Sequence, residues 1–303
     1  MSEILSKGTM FPAMLMPELV NLVRGKSALA ALTQQTPIAF NGQTEFVFTM
    51  DKEVDVVAEN GAKSTGGVSM TPVTIQPIKV EYGARISDEF MLATEGEQLN
   101  YYLAFMEGFA AKLAHGFDLM ALHGLNPRTG EAAALIGNNC FAAQVTQTVP
   151  YDAAVVDENI EAAISMVQER EHDATGIILA PAARTALAAM RTEHGARIYP
   201  DLTWGAMPDE LNGLAASCST TLSSHEGKAR ALVGNFADCF RWGYAKEVPV
   251  EVIEYGNPDN DEALGDLKGH NQVYLRAEAY IGWGILDPDA FAYVMDETEE
   301  ATE

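Results

Sequence analysis

Few residues of this sequence have the types and spacing that catalysis or metal binding requires. Glu169 and His172 are three positions apart, a spacing that places two ligands on one helix face in di-metal bundles. Such a centre needs a second Glu-x-x-His pair, and the sequence contains only one. An exposed pair is therefore the favoured interpretation. The remaining histidines are scattered as His115, His123, His194, His225 and His270.

The sequence also lacks the short motifs of common active sites. No HExxH, CxxC, GxSxG or GxxxxGK[ST] occurs in it. Gly282-Trp283-Gly284 has neither a third glycine nor a following helix, so Trp283 is interpreted as a packed strand aromatic. Asp287 and Asp289 flank Pro288 and are interpreted as part of a solvated turn.

The cysteines point to neither a disulfide nor a metal centre. Cys140, Cys218 and Cys239 are odd in number and widely spaced, which favours reduced, buried thiols in a cytoplasmic product. Taken with the missing motifs, this pattern predicts no catalytic residues, no cofactor and no metal site.

The charge of the chain is strongly negative. Its 43 acidic and 19 basic residues give a net charge of −24, which argues against specific nucleic-acid binding. Clusters of acids at Glu251–Lys268 and Asp296–Glu303 are interpreted as solvated surface. The sequence contains no run of 18 apolar residues, so no membrane span is predicted. Met1–Leu15 lacks the pattern of a signal peptide.

A long β excursion at Thr36–Ile86 precedes the first long helix. Its outgoing strand is Glu45–Met50, its Gly- and Asn-rich tip is Val57–Val68, and its return arm is Thr71–Arg85. Both arms alternate apolar and polar residues. Such an arm cannot bury both of its faces against its own domain, so we predict that it contacts another subunit.

A helix of about eight turns is predicted from Thr94 to His123. Its apolar residues recur at helical spacing, Thr94 with Glu97 forms a capping pattern, and Gly124 ends it. At 1.5 Å per residue it spans roughly 45 Å.

The other predicted elements indicate an arm followed by an α/β region. In the arm, residues 1–35, one short helix starts at Met16-Pro17 and Ser27 caps another, Ala28–Leu32. The later elements are helices at Asp157–Glu171 and from Pro181 to near His194-Gly195, and strands at Gly176–Leu179, Ala215–Leu222, Ala231–Asn235, Val248–Ile253, Gln272–Ile285 and Phe291–Met295.

The carboxyl-terminal third resembles the ending of tailed-phage major capsid proteins of the Hong Kong 97 type. The resemblance is carried, in order, by ALVGNFA at Ala231–Ala237, VPVEV at Val248–Val252, QVYLRAEAYIGWG at Gln272–Gly284 and LDPDAFAYV at Leu286–Val294. Ile178-Leu-Ala-Pro181 before a helix, and Asp118–Gly124 closing the long helix, also match the pattern.

The resemblance implies an α+β fold of named parts. These are an N-terminal arm (1–36), an extended β-hairpin E-loop (37–86), a peripheral P-domain (87–135 and 246–285) with a spine helix (94–123), an axial A-domain (136–245 and 286–296) and an acidic tail (297–303). The arm, the E-loop and the spine helix had already been indicated by the residue patterns.

The function implied by the resemblance is that of a major capsid protein, not an enzyme. It would assemble with itself, as pentamers and hexamers, into an icosahedral shell around double-stranded DNA that it does not bind sequence-specifically. Implied partners are a portal and a separate scaffolding protein, since the arm starts at Met1; a decoration protein is left open. The location is the virion, with assembly in the host cytoplasm and no membrane.

Two alternatives remain. An encapsulin, a cellular shell of the same fold that packages a cargo enzyme, is the nearer one. An α/β enzyme with an unrecognised site is the other, and it is disfavoured because no nucleophile, base or metal set assembles from the sequence.

Some capsid relatives join their subunits by an isopeptide bond between an E-loop lysine and an asparagine of a neighbouring P-domain. Lys63 near the tip, with Asn257 and Asn260, supplies the residue types here. The reaction needs a desolvated apolar pocket, whereas the loop around these asparagines is dense in carboxylates. We therefore predict no cross-link, and we interpret Lys63 as the partner of an acid across the interface.

Overall fold

A computed structural model describes residue 23 and residues 26–202, 204–205, 207–224 and 227–296, with the backbone alone described at 95–96 and 247–249. The helix predicted from Met16-Pro17 lies outside this part of the chain except for Val23, and so does the tail at 297–303. The described residues include no helix long and apolar enough to cross a membrane.

The chain folds as α+β. The α-helices are α1 Ala28–Leu32, α2 Glu95–His123, α3 Phe141–Gln144, α4 Val156–Gln168, α5 Pro181–Ala189 and α6 Phe236–Cys239. The strands are β1 Gln43–Met50, β2 Val68–Ile75, β3 Ile78–Ser87, β4 Thr148–Pro150, β5 Gly176–Leu179, β6 Glu210–Leu211, β7 Leu214–Cys218, β8 Ala229–Gly234, β9 Phe240–Ile253, β10 Gln272–Ile285 and β11 Phe291–Met295.

Helix α2 confirms the prediction of a long, capped helix. The Thr94 side chain accepts a hydrogen bond from the Glu97 amide, and the Glu97 carboxylate accepts one from the Thr94 amide, which completes a capping box. The Thr94 hydroxyl also donates to the Glu97 carboxylate, at 2.8 Å, and this bond together with the one from the Thr94 amide holds the pKa of Glu97 below its usual range. Gly124 ends the helix in the left-handed conformation, at φ 70°.

The β excursion divides into two parts. Strands β1 and β2 form an antiparallel hairpin, whereas β3 leaves it and pairs with β10. The single return arm predicted at Thr71–Arg85 is therefore wrong. Pro77 lacks an amide hydrogen and stands at the break between β2 and β3, where a continuous strand would need that donor.

Strands β3, β10 and β9 form a sheet with β10 at its centre. The buried face of β10 contributes Leu275, Ala277, Ala279, Ile281 and Trp283, all at most 1% exposed. Phe117 of α2 packs between the rings of Trp242 and Trp283, at centroid distances of 5.2 and 5.7 Å. Trp283 is thus the packed strand aromatic that the sequence predicted.

Strand β9 is longer than the predicted Val248–Ile253. It begins at Phe240 and pairs along β10, with register shifts opposite Arg276–Glu278 and Tyr280–Ile281. Gly243 and Pro249 interrupt the apolar pattern, and an edge strand with bulges tolerates both. The predicted division into arm, loop and two domains remains a prediction, and its boundaries after residues 86 and 245 fall inside β3 and β9.

A second, six-stranded sheet has the order β4-β11-β8-β5-β7-β6. Helices α4 and α5 cover one face of it around Val167, Leu179, Leu187 and Val233. Three predicted ends are wrong here, because local turn residues stop the elements earlier.

Helix α4 ends at Gln168 rather than Glu171, which has φ 64°. Helix α5 ends at Ala189 rather than near His194-Gly195, because a turn follows in which the Gly195 amide donates to the Thr192 carbonyl. Strand β7 ends at Cys218, and the Ser219 side chain caps the next turn.

The described end of the arm packs into the main core. Ser27 caps α1 by accepting a hydrogen bond from the Ala30 amide, as predicted. Beyond α1, the Thr36 and Ile38 amides donate to the Trp242 and Tyr244 carbonyls of β9, at 2.9 and 3.2 Å. The arm thus adds backbone hydrogen bonds to the edge strand of the three-stranded sheet.

Candidate assembly surfaces

The hairpin β1–β2 presents one apolar face to solvent. Residues that face each other across an antiparallel pair point to the same side, and the register pairs Phe46 with Pro72, Phe48 with Met70 and Met50 with Val68. We call these six residues the open face. Its large side chains are 54 to 72% exposed in this single chain.

The opposite face of the hairpin is covered near its base. Ile75 is 1% exposed and, with Val73, lies against Gly284 of β10. The hairpin therefore uses one face to attach to its own subunit and leaves the other without a partner among the described residues. Exposed apolar surface of this extent is typical of an interface.

A buried carboxylate joins the arm to the rest of the subunit. Asp118 of α2 is 1% exposed and accepts hydrogen bonds from Ser27 Oγ at 2.5 Å and from the Ala28 and Leu29 amides at 2.9 and 3.3 Å. Thr221 Oγ1 donates to it at 3.3 Å. Burial raises the pKa of Asp118 to about 6, against the opposing effect of these four hydrogen bonds.

A guanidinium group orders the acidic loop between β9 and β10. Arg85 of β3 donates to both Asp259 carboxylate oxygens, at 2.5 and 2.8 Å, to Asn257 Oδ1 at 2.6 Å and to the Gly265 carbonyl at 3.0 Å. The hydrogen bond from Arg85 lowers the pKa of Asp259 to about 2. Asp261 accepts from the Ala263 and Leu264 amides, so acids here also stabilise turns.

The structure brings together a thiol, an imidazole and a carboxylate that the sequence separates. Cys239 Sγ lies 3.9 Å from His172 Nδ1, and His172 Nε2 lies 3.1 Å from Asp287 Oδ2. Burial, with a smaller effect of Asp287, raises the pKa of Cys239 to about 11. The thiol is therefore protonated near neutral pH and lacks the activation that a nucleophile needs.

The predicted pair of Glu169 and His172 does not share a helix face, because α4 ends before it. His172 instead contacts Asp287, which also accepts from the Asp289 amide in the turn. Asp287 is thus not wholly solvated, whereas Asp289 is exposed.

The three cysteines are all free. Cys140 and Cys239 are buried, and Cys218 is half-buried. No group of three described His, Cys, Asp or Glu side chains could hold a metal ion.

Lys63, Asn257 and Asn260, the residues considered for a cross-link, are all exposed. The Asn257 amide accepts from Arg85 and donates to the Asp261 carbonyl at 3.0 Å, and Lys63 is exposed in the hairpin tip. We expect boiled assemblies to give a single band near 32.7 kDa on a denaturing gel, because no apolar pocket surrounds these groups in the described chain. A ladder of covalent oligomers that disappears in Lys63→Ala would contradict this.

Sequence reasoning missed Asp118 and Arg85 as organising residues. Their partners described above lie 89 or more positions away along the chain, so no spacing motif reports them. One available signal was the acid Asp118 within the apolar stretch Phe117–Leu122 of an amphipathic helix. Because an unpaired buried carboxylate is rare, an acid at such a position indicates that hydrogen-bond partners come from elsewhere in the chain.

The comparisons with known proteins agree with this architecture. Residues 7–296 match the model of the phage capsid family. A solved chain from Mycobacterium phage Ogopogo is similar, with 31% identity over 90% of this chain and 92% of that one, and a TM-score of 0.76. A chain from Gordonia phage Cozz has 25% identity over 89% and 86%, with a TM-score of 0.72.

A capsid chain of an empty GTA particle shares the fold at 14% identity, over 92% and 90% of the two chains, with a TM-score of 0.59. No curated protein matches the sequence. The chain belongs to the phage capsid family. It is a structural protein of a capsid shell and not an enzyme, and the α+β capsid fold predicted from the sequence is confirmed.

Proposed function

We propose that the open face is the surface through which one copy of this chain clamps a neighbouring copy in an icosahedral shell of pentamers and hexamers. Burying a phenylalanine or methionine side chain stabilises a contact by ~1.5–3 kcal/mol. The open face offers two phenylalanines and two methionines in a row. This unpartnered apolar row is the observation that carries the proposal.

The charge of the chain supports its use as a container for double-stranded DNA. A net charge of −24 gives weak affinity for a polyanion, so the packaged DNA is enclosed without sequence-specific binding. A separate scaffolding protein and a portal belong to the proposal as further partners, and host cytoplasm as the place of assembly, while a decoration protein is left open. The family match favours this function over an encapsulin.

The test of the clamp is a charge placed on the open face. In Phe48→Asp combined with Met70→Asp, we expect folded subunits or rings but no closed shells, because a buried unpaired carboxylate costs several kcal/mol at every contact. Deleting residues 57–68 should have the same result. Negative-stain microscopy and sedimentation velocity of the purified full chain measure both.

The matched control is Thr49→Asp. Thr49 is exposed on the same strand, next to Phe48, and points to the other side of the hairpin, where it lies 2.5 Å from Ser69 Oγ. We expect closed shells from this variant. Shells of normal size from the double variant on the open face would overturn the clamp.

A further inference from the structure

Three arginines cluster beside an exposed tryptophan on the six-stranded-sheet half of the subunit. Arg184 of α5, Arg191, Arg197 and Trp204 line one depression of about 410 Å³, and we call these four residues the arginine patch. Trp204 is 94% exposed. A tryptophan so exposed, flanked by guanidinium groups, has the composition of an interface anchor.

The arginines of this patch donate hydrogen bonds to backbone carbonyls and not to acids. Arg184 donates to the Gly205 carbonyl at 2.5 Å, and Arg191 and Arg197 both donate to the Ala188 carbonyl, at 3.2 and 2.9 Å. None of them forms an ion pair with a carboxylate in the described part of the chain, although acids outnumber bases 43 to 19 overall. The three guanidinium groups therefore have no ion-pair partner among the residues that the structure describes.

The same half of the subunit carries a groove of opposite character. It measures about 280 Å³, and its rim includes Asp157, Glu161 and Asp173. Its walls include Ile160 and Ile164 of α4 and Leu211 of β6, all of which are half-buried. We call this the acidic groove. It shares no lining residue with the arginine patch.

We propose that the arginine patch of one copy docks into the acidic groove of the next copy, with the Trp204 indole against the isoleucine walls and the guanidinium groups against the rim carboxylates. The contact would place three guanidinium groups opposite three carboxylates, and the Trp204 ring opposite apolar side chains. Helix α5 contributes to both surfaces, Arg184 to the patch and Leu187 to the groove, so the two lie side by side on one subunit. In the proposed contact each surface meets an unlike surface, which makes it head-to-tail, the type that forms a ring when the rotation between copies closes.

This inference rests on the self-assembly proposed above but concerns a different contact. The open face would join copies through the hairpin, whereas the patch and groove would set ring formation. The two are separable by experiment, because patch variants are expected to remove rings, whereas hairpin variants are expected to prevent closed shells without acting on the contact that forms rings.

A charge swap tests the docking. In Arg191→Glu or Glu161→Arg alone, a like-charge contact replaces an attractive one, so the subunit concentration needed for rings should rise at least about tenfold. The variant with both changes should return to within about threefold of the original chain. Sedimentation velocity of the purified full chain at increasing concentration, at low and high salt, measures this.

Trp204→Ala should raise the same concentration about 30-fold, as expected for a central anchor. Tyr255→Ala removes an aromatic ring that is 70% exposed outside both surfaces, and it should have no effect on rings. Circular dichroism melts confirm that each variant folds.

Rings that form equally well in Arg191→Glu and Trp204→Ala would overturn the docking while leaving the open-face clamp intact. A failure of the double charge variant to recover would overturn the assigned pairing of the two surfaces. An original chain that forms shells without passing through rings would also count against it.

Discussion

The variant Asp118→Ala is expected to lose ~3 kcal/mol of unfolding free energy, because it leaves buried hydrogen-bond donors without an acceptor. The Ser27 hydroxyl, the Ala28 and Leu29 amides and the Thr221 hydroxyl all donate to this one carboxylate. Without it, α1 and the arm should detach before the core unfolds. Urea unfolding of the unassembled subunit, with amide exchange at residues 28–32, measures both effects.

The control for this change is Ser27→Ala, which removes one of the four donors and should cost ~1 kcal/mol. Unfolding curves of Asp118→Ala and the original chain that coincide would show that the arm does not depend on the carboxylate.

The stability of the subunit should also depend on pH through Asp118. Its folded pKa of about 6 lies above the ordinary value of 3.8, so the folded state holds the proton more tightly than the unfolded state. The resulting stabilisation is present below pH ~4 and is lost as pH rises through ~6. It amounts to at most ~3 kcal/mol.

Asp118→Asn isolates this effect from the other carboxylates, because asparagine does not titrate. The original chain should lose unfolding free energy relative to Asp118→Asn between pH 4 and pH 7. A difference that stays constant, or that changes in the opposite direction, would refute the assignment.

The variant Gly243→Ala is expected to release the arm from β9 and to cost ~3 kcal/mol. A Cβ at this position would stand 1.7 Å from the Thr36 carbonyl oxygen, which belongs to the backbone and has no rotamer by which to retreat. The hydrogen bonds from the Thr36 and Ile38 amides to β9 would be lost as the segment moves. Thermal unfolding and amide exchange at these two residues measure the loss.

Gly108→Ala is the matched control. Gly108 lies inside α2, and nothing stands within 4 Å of a Cβ built there. Alanine should therefore stabilise the helix by ~0.5–1 kcal/mol. A Gly243→Ala subunit that melts like the original chain would mean that the arm does not pass as closely over β9 as described.

Local signals explain which elements could be predicted from sequence. Ser27 at α1, Thr94 with Glu97 at α2 and Gly124 after it are each recognised within four residues, and all three form as predicted. Strands β5, β10 and β11 also end where predicted, because continuous apolar segments mark β5 and β11, and a segment that alternates apolar and polar residues begins β10. The strongest predictions thus rest on interactions that are short in sequence.

Long-range contacts explain what could not be predicted. The Arg85 side chain and Asp259 are 174 positions apart, and the cluster of Cys239, His172 and Asp287 draws on three separate elements. The loop at Glu251–Lys268 looked solvated because composition reports its acids and not the guanidinium group that orders them. Which face of the hairpin is open follows from the strand register, which the sequence leaves undetermined.

The continuous core has a consequence for shell curvature. One hydrophobic cluster includes α1, α2, β10 and the β8 side of the six-stranded sheet, so we expect these parts to move together as one rigid body. A closed shell of pentamers and hexamers must place identical subunits at different angles to their neighbours. We expect that variation to be absorbed outside this cluster, by the exposed part of the hairpin beyond its buried base at Ile75.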